Sequence, residues 1–129
     1  MTGKDTAIEA QKWFSEMNDA IAEAKRTGKP IFLSFSGYTC TNCHWMDANI
    51  LSKQEVKNLL EQFVLVKLYT DGGINHSEKR QYEIDRFGTA AQPFYVILDG
   101  SELEIARFPG MTRNASEFIE FLNKGLIKG

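Results

Sequence analysis

The two cysteines of this chain lie three residues apart, shortly after a compact apolar run. The run, 31–35, is bounded by Pro30 and Gly37, which is typical of a central strand covered on both faces. Cys40 and Cys43 then begin a segment with a helical pattern. A buried strand, a short turn and a Cys-x-x-Cys at the start of a helix together indicate an α/β fold whose chemistry, if any, involves sulfur.

Composition excludes several classes of protein. The chain has 129 residues, 43% of them apolar and 25% charged, with a net charge of −2. The charges are scattered, so we expect no nucleic-acid partner, and no apolar run approaches the roughly 18 residues of a membrane-spanning helix.

We expect a frayed tail over residues 1–7, a single domain over 8–129, and a monomer. Residues 1–10 do not resemble a signal peptide, which indicates a cytosolic protein or a domain excised from a longer exported chain.

Hydrophobic periodicity predicts an alternation of strands and helices that ends in a hairpin and a closing helix. The predicted strands are 8–14, 31–35, 63–69, 94–98 and 103–108, the last of them near a sheet edge. The predicted helices are 16–26 with Ser15 as N-cap, 40–51, one that starts at Ser52 in a capping box with Glu55, 75–87 anchored by Tyr82, Ile84 and Phe87, and 115–126 capped by Asn114. This order predicts an α/β domain with a mixed central sheet and helices on both faces.

The position of the cysteines predicts how they divide a reaction between them. A cysteine in the first turn of a helix lies among free backbone N–H groups, which lower thiol pKa values from about 8.5 to roughly 3.5–7.5. We therefore expect Cys40 to attack a partner disulfide and Cys43, one turn deeper, to resolve the mixed disulfide. The intervening Thr41 and Asn42 would tune the reduction potential.

Three other interpretations of the cysteine pair remain open at this stage. Half of a zinc site would need further ligands, and His44 and His76 are the two histidines of the chain. The cysteines could instead be inert and buried. Cys40 to His44 also reads as C-x-x-C-H, the attachment signature of c-type haem, with His44 as proximal ligand and Met111 as a candidate second ligand. Against haem stand the strong strand runs, which indicate a packed sheet.

The motif and a later proline resemble the thioredoxin fold. A strand, a turn, the Cys-x-x-Cys, and then Gln92-Pro93 directly before a strand follow the order of that family. The resemblance implies that Pro93 is a cis-proline facing the cysteines. It also implies that the backbone at Gln92 pairs with an extended substrate segment.

Within that fold the chain is similar to the C-terminal domain of the bacterial thiol:disulfide interchange protein DsbD and its relatives. The similarity covers residues 13–127 and is carried by segments 20–30, 36–47, 63–69 and 92–99. It implies a periplasmic reductase or electron relay whose partners are protein disulfides and dithiols, including a membrane electron-donor domain. It implies no cofactor and no metal. The alternatives are a cytoplasmic or free-standing thioredoxin-like reductase or isomerase, a haem carrier, and a binding module with a vestigial dithiol.

The chain departs from the thioredoxin pattern at two positions. Ser34 occupies the place of a buried aspartate, and Thr39 occupies the place of a tryptophan. Asp47, where DsbD-like domains carry an acid, is either a substitute for the missing carboxylate, raising cysteine pKa values, or a solvated helix charge. His44 would be an exposed helix residue whose cation favours a thiolate. Tyr38 would cover the dithiol, recognise partners or simply fill the turn.

Overall fold

Strands and helices largely alternate along the chain in this computed structural model, which describes residues 11–128. The strands are β1 (Trp13–Phe14), β2 (Ile31–Ser36), β3 (Val64–Tyr69), β4 (Phe94–Leu98) and β5 (Glu104–Pro109). The helices are α1 (Met17–Thr27), α2 (Thr41–Asn49), α3 (Gln54–Leu60), α4 (His76–Phe87) and α5 (Ala115–Lys128). The predicted tail and the first residues of the predicted 8–14 strand lie outside the described residues.

The strands form one five-stranded sheet in the order β1-β3-β2-β4-β5. β2 is parallel to β3 and antiparallel to β4, so the sheet is mixed, as predicted. Among the described strands, β5 pairs with β4 alone and lies at the sheet edge, which confirms the half-exposed pattern seen in the sequence. Because β2 and β3 are parallel, their carboxyl ends lie together, and the turn that carries the cysteines leaves the sheet at this end.

Alternating side chains along the strands separate two apolar cores, one on each face of the sheet. Phe32 lies in the centre of the first core, where rings from five neighbours surround it at centroid distances of 5.7–6.3 Å. Helices α2, α3 and α5 contribute to this core. Phe35 belongs to the second core, to which α1 and α4 contribute. Helices therefore cover both faces, and β2 is buried along its whole length, as predicted.

Two of the predicted helix caps are wrong. Helix α1 has Glu16 rather than Ser15 at its N-cap. The Ser52–Glu55 capping box is absent, because the Ser52 hydroxyl donates to the Ala48 carbonyl at 2.6 Å and Lys53 occupies the N-cap of α3. The prediction for α5 is confirmed, since the Asn114 Oδ1 accepts the Ser116 N–H at 2.9 Å.

Helix α4 packs on the sheet differently from the prediction. Of the three expected anchors, Phe87 is buried, whereas Tyr82 and Ile84 are only partly buried. Glu83 is fully buried, and neither of its carboxylate oxygens has a hydrogen-bond partner. Burial raises the pKa of Glu83 and outweighs the smaller, opposite effect of the nearby Arg80, so that the resulting pKa is about 8. No helix within residues 11–128 is long and apolar enough to cross a membrane.

Candidate functional site at Cys40 and Cys43

The two cysteines occupy the N-terminal end of α2 and are joined by a disulfide bond. Cys40 is the N-cap residue, and its Sγ accepts a hydrogen bond from the Cys43 N–H at 3.2 Å. Its Cα lies 5.2 Å from that of Cys43. Cys43 is 2% exposed, whereas Cys40 is partly exposed. A partner could therefore reach the first sulfur but not the second, the asymmetry that the sequence predicted.

The other residues of the motif lie on the exposed side of the first helical turn. Thr41, Asn42 and His44 are all exposed. The His44 ring is held against the loop before the motif, because its Nε2 lies 2.7 Å from the Tyr38 carbonyl oxygen. His76 bonds elsewhere, with its Nδ1 3.1 Å from the Gly73 carbonyl oxygen.

The residues considered for haem or zinc are not arranged as a ligand set. The cysteine sulfurs are bonded to each other and the His44 ring contacts a backbone carbonyl. Met111 is partly buried and packs against the first core. Within residues 11–128, no group of three or more His, Cys, Asp and Glu side chains could hold a metal ion. The arrangement is suited to exchange between a dithiol and a disulfide.

Asp71 is a polar residue of the site that the sequence did not predict. It follows β3, and its carboxylate accepts hydrogen bonds from the Tyr38 N–H at 2.8 Å and the Thr39 N–H at 3.1 Å. The Thr39 hydroxyl donates to the same carboxylate at 2.8 Å. These bonds, the one from the Thr39 N–H first, lower the pKa of Asp71. The available signal was a carboxylate two residues after a strand that is parallel to the one that precedes the cysteines.

Gln92 and Pro93 directly precede β4, which pairs with β2 on the side away from β3. The peptide bond between them is cis, and the Pro93 carbonyl accepts the Gly110 N–H at 2.9 Å. The Gln92 side-chain amide donates to the Thr70 hydroxyl. Thr70 is itself tied to β2, since its backbone N–H donates to the Ser36 carbonyl at 3.0 Å. The loop of Pro93 is thus connected through Thr70 to the residue that ends the strand before the cysteines.

Asp47 forms an ion pair with a residue that the sequence analysis did not single out. Lys67 Nζ donates to the Asp47 carboxylate at 2.8 Å, and Lys67 also lies over the Trp13 ring at 5.1 Å. Asp47 is therefore a partly exposed member of an ion pair, and its role as a substitute for the missing carboxylate stays a prediction. Lys67 is paired in register with Ser34 on β2, so the pair lies on the same sheet face as Ser34, where the sequence resemblance led us to expect a buried aspartate. Burial, and to a smaller extent Asp47, raise the pKa of Tyr95 on the adjacent strand.

Tyr38 forms an aromatic stack beside the motif. Tyr38 is 54% exposed, and its ring lies 4.0 Å from the ring of Tyr69, with an angle of 7° between the planes. Gly72 and Gly73 lie against the same ring. On another side of α2, Arg113 lies 5.5 Å from the Trp45 ring. Tyr38 is therefore held in a stack while much of it stays exposed. Its role in covering the dithiol, recognising partners or filling the turn stays a prediction.

Comparisons with known proteins agree with this arrangement. A model of the thioredoxin-like family matches residues 12–100. Human spermatogenesis-associated protein 20 is 39% identical over 57 residues, which cover 43% of this chain and 7% of that protein. The chain thus matches only a small part of the length of its curated relatives.

Solved structures match over most of the chain. A thioredoxin from Thermus thermophilus has a TM-score of 0.74 at 26% identity, covering 92% of this chain and 88% of its own. The oxidised DsbD C-terminal domain of Neisseria meningitidis has a TM-score of 0.69 at 16% identity, covering 88% and 99% respectively, a likeness of fold alone. The predicted resemblance to the thioredoxin fold is confirmed. With this fold and a Cys-x-x-Cys pair at disulfide distance, the chain belongs to the thioredoxin-like family of oxidoreductases.

Proposed function

We propose that this protein reduces disulfides of partner proteins, or relays electrons between them, through the Cys40–Cys43 dithiol. The observation that carries the proposal is the asymmetry of the pair. Cys40 is accessible at a helix N-terminus and its Sγ accepts the Cys43 N–H, whereas Cys43 is buried within bonding distance. Backbone N–H groups at a helix N-terminus favour a thiolate over a thiol, and the thiolate is the nucleophile.

The proposed reaction begins from the reduced dithiol. The Cys40 thiolate attacks a sulfur of the partner disulfide, so that a mixed disulfide forms and the partner's own S–S bond breaks, releasing one partner thiolate. The deprotonated Cys43 sulfur then attacks Cys40 Sγ, which forms the intramolecular disulfide and releases the second partner thiol. Two electrons and two protons pass to the partner, and a dithiol of a donor protein restores the reduced state by the reverse steps.

The proposal also includes the direction of electron flow and the cellular compartment of the protein. The resemblance of segments 20–30 and 36–47 to the DsbD C-terminal domain supports a relay in the bacterial periplasm, with a membrane-bound donor and exported disulfide proteins as acceptors. In an oxidising compartment, disulfides form and persist, and a reductant needs a dedicated electron supply. Fractionation of the native host, followed by detection of the protein with an antibody, tests the location. Recovery in the cytoplasmic fraction would favour the free-standing reductase instead.

The first test of the direction is the reduction potential. The protein is equilibrated in glutathione or dithiothreitol buffers and its free thiols are counted. A potential near that of thioredoxin, about −270 mV, or somewhat above it supports the reductase or relay. A potential near −120 mV, the value of a strong oxidant, would make the protein a disulfide donor. Absence of a reversible couple would overturn the dithiol mechanism.

Single-cysteine variants test the assigned roles. Cys43→Ser should accumulate a mixed disulfide with a protein substrate, because the resolving sulfur is missing. Cys40→Ser should form this adduct at least about tenfold more slowly, since a buried thiol is poorly placed for attack. The adducts are counted on non-reducing gels. Equal trapping by the two variants would contradict the assignment of Cys40 as the attacking residue.

A further inference from the structure

The turn that carries Cys40 has its outward-facing amides bound by a distant side chain. The Cys40 N–H donates to the Gly37 carbonyl at 3.3 Å and closes a turn over residues 37–40. The two central residues of this turn, Tyr38 and Thr39, direct their N–H groups to the Asp71 carboxylate. The Thr39 hydroxyl adds a third hydrogen bond. One carboxylate thus satisfies every backbone donor in the centre of the turn.

We propose that Asp71 is a positioning residue for the dithiol, which fixes the turn of residues 37–40 so that Cys40 Sγ stays at the N-cap of α2. This inference rests on the proposed function and extends it to a residue that does not touch the reacting sulfurs. Within the part of the chain that the structure describes, Cys40 Sγ accepts one hydrogen bond from the backbone, at 3.2 Å from the Cys43 nitrogen. A rotation of the preceding turn would move the sulfur away from that donor.

The position of Asp71 suits this task because it lies next to a rigid element. Only Thr70 separates Asp71 from β3, which pairs with β2 over six residues of parallel register. The Thr70 N–H continues this pairing with the Ser36 carbonyl at 3.0 Å. The carboxylate is therefore anchored to the end of the central sheet, and its hydrogen bonds transfer that rigidity to the loop.

The local sequence also makes room for the carboxylate. A Cβ added to Gly37 would lie 2.7 Å from the Asp71 Oδ2 and would also meet the Gln92 side-chain oxygen. Thr39 supplies a hydroxyl for the same carboxylate. The Asp71 carboxylate therefore depends on two residues of the turn. Gly37 leaves space for it because it has no side chain, and Thr39 donates a hydroxyl hydrogen bond to it.

Removal of the Asp71 carboxylate changes the Cys40 pKa in opposite directions under the two explanations, so a measurement of that pKa tests the proposal. If Asp71 acted only through its charge, its removal would stabilise a nearby thiolate and lower the pKa of Cys40. If Asp71 positions the turn, its removal weakens the hydrogen bond to Cys40 Sγ and raises that pKa. Alkylation of the reduced protein with iodoacetamide as a function of pH measures the Cys40 pKa directly, without a partner protein.

The decisive variants are Asp71→Ala and Asp71→Asn. We expect Asp71→Ala to raise the Cys40 pKa and to slow disulfide reduction about tenfold at neutral pH, as small displacements of a reacting group do. Asp71→Asn keeps one acceptor oxygen but no charge, so its effects should have the same direction and be smaller. Thr39→Val, which removes only the hydroxyl, should have the weakest effect of the three.

The chain offers a matched control in Asp99. Its carboxylate also accepts two backbone N–H groups in a turn, from Ser101 at 2.7 Å and Leu103 at 3.0 Å. This turn lies at the other end of β4 from Pro93. Asp99→Asn should therefore lower the melting temperature as much as Asp71→Asn does, while the Cys40 pKa and the reduction rate stay as in the wild type.

The readouts separate this inference from the proposed function. A lowered or unchanged Cys40 pKa with an unchanged rate in Asp71→Ala overturns the positioning role, even if the wild type reduces disulfides well. An equal effect of Asp99→Asn on the Cys40 pKa also overturns it. A raised Cys40 pKa in Asp71→Ala supports the role even if the wild type reduces no protein disulfide, in which case the proposed function fails alone.

Discussion

Lys67 Nζ donates a hydrogen bond to the Asp47 carboxylate at 2.8 Å, and this pair connects helix α2 to strand β3 next to the first core. The Lys67 side chain is 18% exposed and that of Asp47 34% exposed, so the pair is only partly solvated. Water screens such a pair less than a surface ion pair, and loss of one partner leaves the other charge with poor solvation.

The first prediction is a measurable coupling between these two residues. Asp47→Asn should lower the free energy of unfolding by about 1–2 kcal/mol, between the values for exposed and buried pairs. Lys67→Met in the Asp47→Asn background should recover part of this loss, because it removes the unpaired ammonium. A double-mutant cycle in urea measures the coupling. Glu23→Gln, which breaks an exposed pair with Arg26, is the control and should have a smaller effect on the free energy of unfolding than Asp47→Asn.

The second prediction concerns the buried carboxyl of Glu83. Its pKa is about 8 in the folded protein against an ordinary value of 4.5, because burial disfavours the charged form. A pKa raised on folding means that the folded state holds the proton more tightly. The contribution of this group to stability is therefore full below pH 4.5 and is lost as the pH rises through 8. The loss should reach a few kcal/mol, with about 5 kcal/mol as the limit set by the shift.

Substitution of Glu83 isolates this effect. Glu83→Gln cannot ionise, so its free energy of unfolding should lack the decline between pH 5 and about 8.5 that the wild type shows. The comparison is one of slopes, because the buried amide has a constant cost of its own. Glu78→Gln, an exposed substitution on the same helix, should keep the slope of the wild type. A wild-type slope that survives in Glu83→Gln would assign the pH dependence to other groups.

The third prediction uses the close approach to Gly37. In Gly37→Ala the new methyl group would displace the Asp71 carboxylate and the Gln92 amide, both of which make hydrogen bonds. We expect a loss of about 1 kcal/mol of stability and slower disulfide exchange, as overpacking of a tight contact gives. Gly100→Ala is the matched control, since its added Cβ would meet nothing within 4 Å. Wild-type exchange rates in Gly37→Ala would show that the turn relaxes without cost.

These predictions separate what local sequence patterns reveal from what they do not. The apolar run between Pro30 and Gly37 and the spacing of Cys40 and Cys43 are local features of the sequence. They sufficed to predict the central strand, the helix and the accessible first cysteine. Asp71 binds residues more than thirty positions away. The position of Asp71 after a strand run is a weak local signal, but the contact itself depends on the parallel register of two strands.

Tertiary contacts also overrode two local preferences. Ser52 has the sequence environment of an N-cap, but its hydroxyl bonds back to the preceding helix. Glu83 lies in a polar segment in which a charged residue is normally exposed, yet the packing of α4 on the sheet buries it completely. A periodicity argument sees only the side chain's type and its spacing, whereas burial is decided by the surface that the helix meets.

The last prediction concerns Gly125 in α5, where a missing side chain sets the distance between the helix and the sheet. A Cβ at this position would lie 2.7 Å from the Cγ2 of Ile97 and 3.1 Å from the Phe63 ring. Gly125→Ala gains about 1 kcal/mol in helix propensity but should lose about 1–3 kcal/mol by overpacking, so we expect net destabilisation in urea. In an Ile97→Ala background the same substitution should instead stabilise the protein, because the methyl group then fills vacated space. A stabilising Gly125→Ala in both backgrounds would mean that α5 moves away freely, and that the close packing of this helix is not a constraint on the first core.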